Sequence, residues 1–464
     1  MADMDNKMEK IVSLAKRRGF VFQGSEIYGG LAGIYDFGPR GVELLNNIKR
    51  LWWKANVYDK ENYYGLDSGM FKHPRTWEAS GHIGGFCDPL AECRECNTRI
   101  RVDKELGNIG VTADEKMTIE QINELFDAHR DQIPCPKCGK KNFSEARAFN
   151  LLVKSNLGDF TSDGSDPVYL PGEACQGIYL NFKNIVDSMN PKLPFGVAQI
   201  GKAFRNEISP RNFLFRTREM EQADTQYFVK PNENKDAFEE IKRDRWNWYV
   251  SELGINESNL RWKQHDNLVF YAADAWDIEY KFPTGFDELE GIHDRTDYDL
   301  TQHQKFSGVD LRYTDPDTNE KYIPWILETS VGLGRMFLAV LSDAYHEEEL
   351  DGETRVVLKL KPDLAPVRVA VSPLLRNKPE LVAKAREVFL LLKKEFGNVA
   401  WDDNGNIGKR YRRQDEIGTP YCVVIDFDTL GENPELLDTV TVRDRDSGEQ
   451  KRVAINELAE VISS

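Results

Sequence analysis

The sequence predicts an α+β protein in three parts: a body of strands with flanking helices, a zinc-ribbon-like insert, and a C-terminal α/β domain. Three observations predict it. Hydrophobic alternation of period two runs from Val197 to Phe204 and again from Asn212 to Phe228, the pattern of strands that bury one face. Two Cys-x-x-Cys pairs interrupt the body. A linker, Lys361-Pro362-Asp363-Leu364-Ala365-Pro366, precedes a fresh strand and helix pattern.

The elements follow in order. Residues Asp5 to Gly19 predict a helix, because basic Arg17 and Arg18 and then a glycine close it. A glycine-rich passage, Tyr28 to Gly41, leads to a second helix over Val42 to Val57, with Leu44, Leu45, Ile48, Leu51 and Trp52 on its apolar side. The cysteine module runs from about Cys87 to Arg147, and strands are expected from Phe149 to Val229. A helix near Asp236 to Leu253, strands between Leu268 and Tyr280, and a strand over Tyr322 to Ser330 complete the body. That last strand runs straight into a helix over Gly332 to His346. Beyond the linker the pattern predicts strand 367–372, helix 378–396, a loop, strands 421–427 and 438–444, and helix 454–462.

The chain has 464 residues, enough for several domains, and 40% hydrophobic content, ordinary for a globular protein. Its N-terminus lacks an apolar run and no segment approaches eighteen apolar residues, so a cytoplasmic protein without membrane contact is expected. A net charge of −16 argues against polyanion binding by the whole surface. A local basic run, Lys409-Arg410-Tyr411-Arg412-Arg413, reads either as a phosphate-contacting patch or as a solvated charged loop.

Cys93, Cys96, Cys135 and Cys138 offer four thiolates in two knuckles, the ligand set of a structural zinc; two independent thiol pairs or redox chemistry are the other readings. The long gap between the knuckles must hold structure of its own, and Thr118 to His129 predicts a short helix with Ile119, Ile122, Leu125 and Phe126 on one side. Cys87, Cys175 and Cys422 read as isolated thiols.

No G-x-x-x-x-G-K-[ST] or G-x-G-x-x-G motif occurs, so a bound nucleotide would have to be held by arginines on a sheet. Two stretches offer them. Arg205 and Glu207 share one strand face, and Arg216, Arg218 and Met220 share a face of the returning strand, opposite Phe215, Glu219 and Glu221. Taken alone, this is equally a surface hairpin with cross-strand ion pairs. The second stretch puts Glu328 and Ser330 on one face, then Gly332, Gly334 and Arg335 at a helix N-terminus, where an arginine fork and the helix end both favour anions. Glu328 lies on a strand that otherwise reads as buried (Ile323, Trp325, Leu327), so its carboxylate needs a partner.

In wording, order and spacing, these stretches resemble a class II aminoacyl-tRNA synthetase, and within that class the dimeric glycyl-tRNA synthetases. The resemblance covers nearly the whole chain. It includes Arg18 to Gln23, Trp77 to His82 after Pro74 (motif 1), Phe204 to Asp224 (motif 2), Glu288 to Ile292, Arg295 to Leu300, Glu328 to Arg335 (motif 3) and Gly408 to Pro420. It implies an antiparallel sheet with flanking helices, a homodimer built around motif 1, and a C-terminal anticodon-binding domain. The implied boundaries are 1–86, 87–148 (insert), 149–358 (catalytic core) and 364–464. It implies activation of glycine by ATP with Mg2+ and transfer to tRNA(Gly); the structural Zn2+ expected in the insert rests on the cysteine knuckles themselves.

By matching position, Arg205 would hold the α-phosphate, Arg335 the γ-phosphate, and Glu207 would read adenine. The implied nucleotide set adds Asn206, Phe215, Arg216, Arg218, Glu219, Met220, Leu289, Glu290, Gly332 and Gly334. The implied glycine set is Arg99, Glu173, Glu221, Asp224, Glu328 and Ser330. Lys409, Arg410, Arg412 and Arg413 would meet tRNA. The chain departs from the family at Pro171, Gly172, Met220, Asp224 and Thr329, where arginine, proline, phenylalanine, glutamate and proline are usual. A synthetase-like subunit without catalysis is the competing reading, and it is expected to lose the motif arginines; an enzyme that activates an amino acid without charging tRNA is a third.

Overall fold

The computed structural model describes residues 2–113, 117–157, 167–265, 268, 272–350 and 352–463. Seven segments form one sheet: β1 (Tyr63–Leu66), β2 (Phe195–Phe204), β3 (Glu219–Val229), β4 (Leu260–Gln264), β5 (Asp274–Phe282), β6 (Gly285–Thr296) and β7 (Trp325–Gly332). Their order in space is β4-β5-β6-β7-β3-β2-β1, antiparallel throughout except for β1 beside β2.

The period-two pattern serves two faces at once. Odd-numbered apolar residues such as Ala223, Leu327 and Val331 join the main core with three helices: α2 (Pro39–Trp53), α4 (Lys235–Ser251) and α6 (Leu333–Ala344). The N-terminal helix α1 (Ala2–Arg17) adds Ile11 and Leu14 to this core. On the opposite face, α3 (Gln176–Met189) and α5 (Tyr298–Ser307) cover Phe195, Val197, Phe228 and Ile326. One cross-strand row beyond, Gln199, Asp224, Ser330, Gly291 and Asp277 stand in register, and the site lies on this part of the face.

Helix α3 falls in the stretch expected to be strands. Its β-branched and aromatic residues suit a sheet, but Ile178, Tyr179, Phe182 and Ile185 recur at three and four residues and bury together. The helix expected over 42–57 ends at Trp53 and continues as a π-turn, Lys54–Tyr58. Residues 158–166, within the expected strand region, and 269–271, at the start of a later one, lie outside those described.

The insert is a three-stranded sheet (Cys87–Glu92, Arg99–Arg101, Arg147–Asn150) with its own core of Ile100, Leu106, Phe126 and Phe143. Its helix is Ile119–His129. Thr118 caps it: its hydroxyl accepts from Gln121 N at 3.4 Å, and Gln121 Oε1 accepts from Thr118 N at 2.9 Å.

A hairpin, Tyr345–Leu350 with Glu353–Leu358, leads to the C-terminal domain. There Val399–Trp401, Val369–Pro373 and Tyr421–Ile425 run parallel, and Thr439–Asp444 and Gln450–Ala454 complete an antiparallel edge. Helix α7 (Pro379–Phe396) packs on this sheet in a separate core. Helix α8 (Ile407–Asp415) occupies what reads as a loop. Its buried side is Arg410, Gln414 and Asp415, so no apolar stripe announces it.

Candidate active site

Glu328, on the central strand β7, is held from three sides. Gln226 Nε2 donates to Oε1 at 2.8 Å; Arg295 Nη1 and His293 Nδ1 reach Oε2 at 3.0 Å each. Burial pushes its pKa up, but Arg295 and His293 outweigh that and bring it to about 2. The predicted partner of this buried carboxylate is therefore Arg295, from the Arg295-to-Leu300 stretch, which also grips Asp299 through Nε at 2.8 Å.

Two further carboxylates meet Glu328. Glu173 accepts from Gln176 Nε2 at 2.8 Å and lies 3.5 Å from His82 Nε2. Burial raises it, yet His82 and Arg295 hold it well below its usual value. Among the described residues Asp224 accepts only from the Ser330 hydroxyl, at 2.6 Å. Burial, then the negative charges of Glu328 and Glu173, push it well above the usual carboxylate range. Beside Asp224 in the sheet, Gln199 Oε1 is buried and finds no hydrogen-bond partner among the described residues. Two more carboxylates, Glu173 and Asp224, thus lie near Glu328, whose charge Arg295 balances.

The two motif arginines share a neighbouring recess. Arg205, at the end of β2, donates Nε to Gly172 O at 3.1 Å and lies over the Phe86 ring, its guanidinium carbon 5.3 Å from the centroid. Arg335, in the first turn of α6, donates to the carbonyls of Phe215 and Glu288 at 3.1 Å each and stacks 4.4 Å from the Phe215 centroid. Arg335 first, and Arg205 after it, pull the Glu288 carboxyl below its ordinary value, so both guanidinium groups act on one carboxylate. The glycine-rich N-terminal loop lies against motif 2: Arg218 N donates to Gly33 O at 2.8 Å. Gly33 has φ +74, and a Cβ there would meet Pro210 at 2.5 Å.

Several expected site residues stand elsewhere. Glu290 faces the core, where Arg245 of α4 clasps it at 2.8 and 3.2 Å. The cause is a β-bulge at Leu289: Ile278 pairs with Glu290 but Glu279 with Glu288, so Leu289 and Glu290 both bury and Glu288 turns to the catalytic face. Glu288, not Glu290, is the carboxylate of the recess.

Glu221 points to the core side and pairs with Lys49 of α2 at 2.7 Å, and Glu219 pairs with Lys202 at 2.9 Å. Both occupy odd positions of β3, opposite Met220 and Asp224. Arg99 sits on the insert surface with Glu92 at 3.2 Å. Glu207 is buried and already bonded by Arg216 Nε at 2.7 Å, while Arg218 holds its carbonyl at 2.8 Å. Asn206 offers its backbone N–H to Leu151 O at 2.7 Å. Gly332 ends β7 and Gly334 lies in the first turn of α6. His82, Gln176, Gln226, His293 and Arg295 were not anticipated; Gln226 is two residues from Asp224 on one strand, which was a readable signal.

The basic run is corrected more strongly. Arg410 is buried, with Nη1 on Pro373 O at 2.5 Å and Nη2 on Gly405 O at 2.9 Å. Arg413 grips Asp402 at 2.7 and 3.0 Å, and Arg412 reaches Glu353 at 3.2 Å. Arg410 and Arg413 are taken up within the C-terminal domain itself, and Arg412 pairs at the surface with Glu353 of the preceding hairpin. Lys409 is exposed.

The four insert sulfurs lie within 4.8 Å of one another, with Cys93–Cys138 and Cys96–Cys135 at 3.6 Å. Tetrahedral zinc–sulfur bonds place sulfurs about 3.8 Å apart. The knuckles are built alike: Asn97 N donates to Cys93 O and Gly139 N to Cys135 O, both at 2.8 Å, with Asn97 and Gly139 at positive φ.

Two family descriptions match the chain: "tRNA synthetase class II core domain (G, H, P, S and T)" over residues 159–344, and "Anticodon binding domain" over 368–464. With the antiparallel sheet and its two motif arginines, they define a class II aminoacyl-tRNA synthetase, a ligase that forms aminoacyl-tRNA. The chain is similar to proteins named glycine--tRNA ligase. It is 51% identical to that of Clostridium acetobutylicum, over 98% of this chain and 97% of the relative. The figures are 49%, 99% and 98% for Clostridium tetani, and 48%, 99% and 97% for Borreliella burgdorferi strain B31. The chain belongs to the glycine--tRNA ligase family. Among the described residues no helix is long and apolar enough to cross a membrane.

Proposed function

We infer that this chain activates glycine with ATP, giving glycyl-adenylate and pyrophosphate, and passes glycine to the 3′ end of tRNA(Gly), as a cytoplasmic homodimer. One observation carries the reading: Glu173, Asp224 and Glu328 converge beside a recess in which Arg205 and Arg335 act together. A primary ammonium group offers the positive charge and the donors that Asp224 and Gln199 lack. A pocket walled this closely by carboxylates rejects a side chain by sterics, the more effective direction of discrimination.

The chemistry then needs no general base. The glycine carboxylate attacks the α-phosphorus, Arg205 bears on the charge that builds there, and Arg335 bears on the departing pyrophosphate. Magnesium bound with the nucleotide supplies further positive charge to the triphosphate oxygens. Glu288, a half-exposed carboxylate beside Arg335, suits such a hard cation. Phe215 and Met220 offer apolar cover for adenine. Zinc in the insert is structural on this reading, held by Cys93, Cys96, Cys135 and Cys138. On this reading 1–86 is the N-terminal part of the catalytic domain and carries motif 1, 87–148 is the cysteine-rich insert, 149–358 the catalytic core with motifs 2 and 3, and 364–464 the anticodon-binding domain. Lys409 is the cation of the basic run left to meet tRNA.

The test is ATP–pyrophosphate exchange with each amino acid in turn. Exchange with glycine alone is expected; exchange with none, at saturating ATP and magnesium, removes the reading.

A further inference from the structure

The catalytic face carries a third group of side chains that the reaction above leaves unused. His265, immediately after β4, Asp277 on β5 and His293 on β6 gather from three adjacent strands, and one ligand atom from each lies within 4.8 Å of the others. His265 N still pairs with Ala275 O at 3.0 Å, which fixes its place at the sheet edge. Its buried Nε2 is 2.8 Å from Asp277 Oδ2, close enough to raise the imidazole pKa but off the angle of a good hydrogen bond, and no other group among the described residues bonds it.

His293 is oriented from behind. Its Nδ1 is 3.0 Å from Glu328 Oε2, the arrangement in which a carboxylate fixes an imidazole tautomer and leaves the other nitrogen's lone pair free. That other nitrogen overlooks a small clearing. A Cβ built on Gly291 would lie 3.1 Å from His293 Nε2 and 3.7 Å from Asp277 Oδ1, so glycine there keeps the space between them open.

We propose that His265, Asp277 and His293 form a site for a divalent first-row transition-metal ion, bound through His265 Nε2, an Asp277 oxygen and His293 Nε2. Two imidazoles and one carboxylate suit zinc, cobalt or manganese, whereas magnesium prefers an all-oxygen shell. Zinc bonds to such ligands place the donor atoms about 3.3 Å apart, which small side-chain rotations reach from the present spacing. The site has no thiolate, so it is distinct from the cysteine insert, and it does not depend on the proposed reaction. Glu288, whose carboxyl feels His293 as well as both arginines, borders its open side. Through His293 the ion is joined to Glu328, and so to the ammonium pocket.

The test is a cobalt titration of full-length protein whose insert already holds zinc. One further equivalent is expected, with weak visible absorption and no thiolate charge-transfer band, undisturbed by excess magnesium. His265→Ala and His293→Ala should each abolish it while metal analysis still finds the insert's zinc, and Glu328→Gln should weaken it about 10–100-fold. No further equivalent in the wild type, its survival in both alanine variants, or stoichiometric displacement by magnesium overturns the proposal. Zinc-soaked crystals of the unaltered protein test it without substitution: an anomalous peak among the three side chains is expected, and its absence counts against the site.

Discussion

Arg205 and Arg335 on one side, and Arg410, Arg412 and Arg413 on the other, are the same residue type in equally suggestive sequence contexts. They do opposite things. The first two rest on main-chain carbonyls and aromatic rings, and share a single half-exposed carboxylate between them. The other three are consumed by Asp402, Glu353, Pro373 O and Gly405 O. What separates the two groups is where their partners stand: Arg335 pairs with Glu288 at 3.1 Å on the catalytic face, whereas Arg410 and Arg413 are tied down by carbonyls and a carboxylate of the C-terminal domain itself.

Four measurements probe this contrast, the largest effect first. Arg205→Ala should lower glycine-dependent pyrophosphate exchange by about a hundredfold or more with an unchanged unfolding midpoint; near-normal exchange would remove its assigned role. Asp415→Asn should do the reverse. Asp415 is fully buried among Arg355 at 3.0 Å, Arg443 at 2.8 Å and Arg412 at 3.7 Å, so its neutralisation should cost about 3–5 kcal/mol in urea unfolding. Exchange per folded molecule should stay near normal.

The third concerns acid. Glu328 titrates at about 2 in the folded chain against an ordinary 4.5, so its charged form stabilises the fold above about 4.5 and that contribution disappears as pH falls toward about 2. Urea midpoints of Glu328→Gln should be lower at neutral pH and flatter across that interval; parallel curves would show that the Arg295 pairing is energetically silent. The smallest effect belongs to Arg412→Ala, whose exposed partner Glu353 makes the pair worth about 0–1 kcal/mol. Its tRNA affinity, by filter binding, should change by less than about threefold. A tenfold loss would return that arginine to the nucleic-acid surface.

The same distinction explains what could be read from the letters. Alternation along β7 was enough to put Glu328 and Ser330 on one face, and the Cys-x-x-Cys pairs announced a four-sulfur cluster. The reading failed at Glu290, which family position alone placed at the nucleotide: the bulge at Leu289 reverses the face of the residues N-terminal to it, so Glu288 rather than Glu290 reaches the catalytic face. It failed again at α8, where charged residues supply the buried side and periodicity of apolar residues carries no information. Long-range pairings such as Arg295 with Glu328 were legible only as a need: a buried acid requires a partner, but the chain does not say which.

The clasp between Asp415 and Arg355 is accompanied by another, in which Arg17 and Arg18 of the N-terminal region hold Glu416. The final hundred residues are therefore keyed to two well-separated parts of the polypeptide. An engineer who transplants a foreign anticodon module at the 361–366 linker would cut every one of those ties. A working chimera must import the matching acceptors and cations too, so the unit that evolution can exchange is larger than the fold boundary suggests.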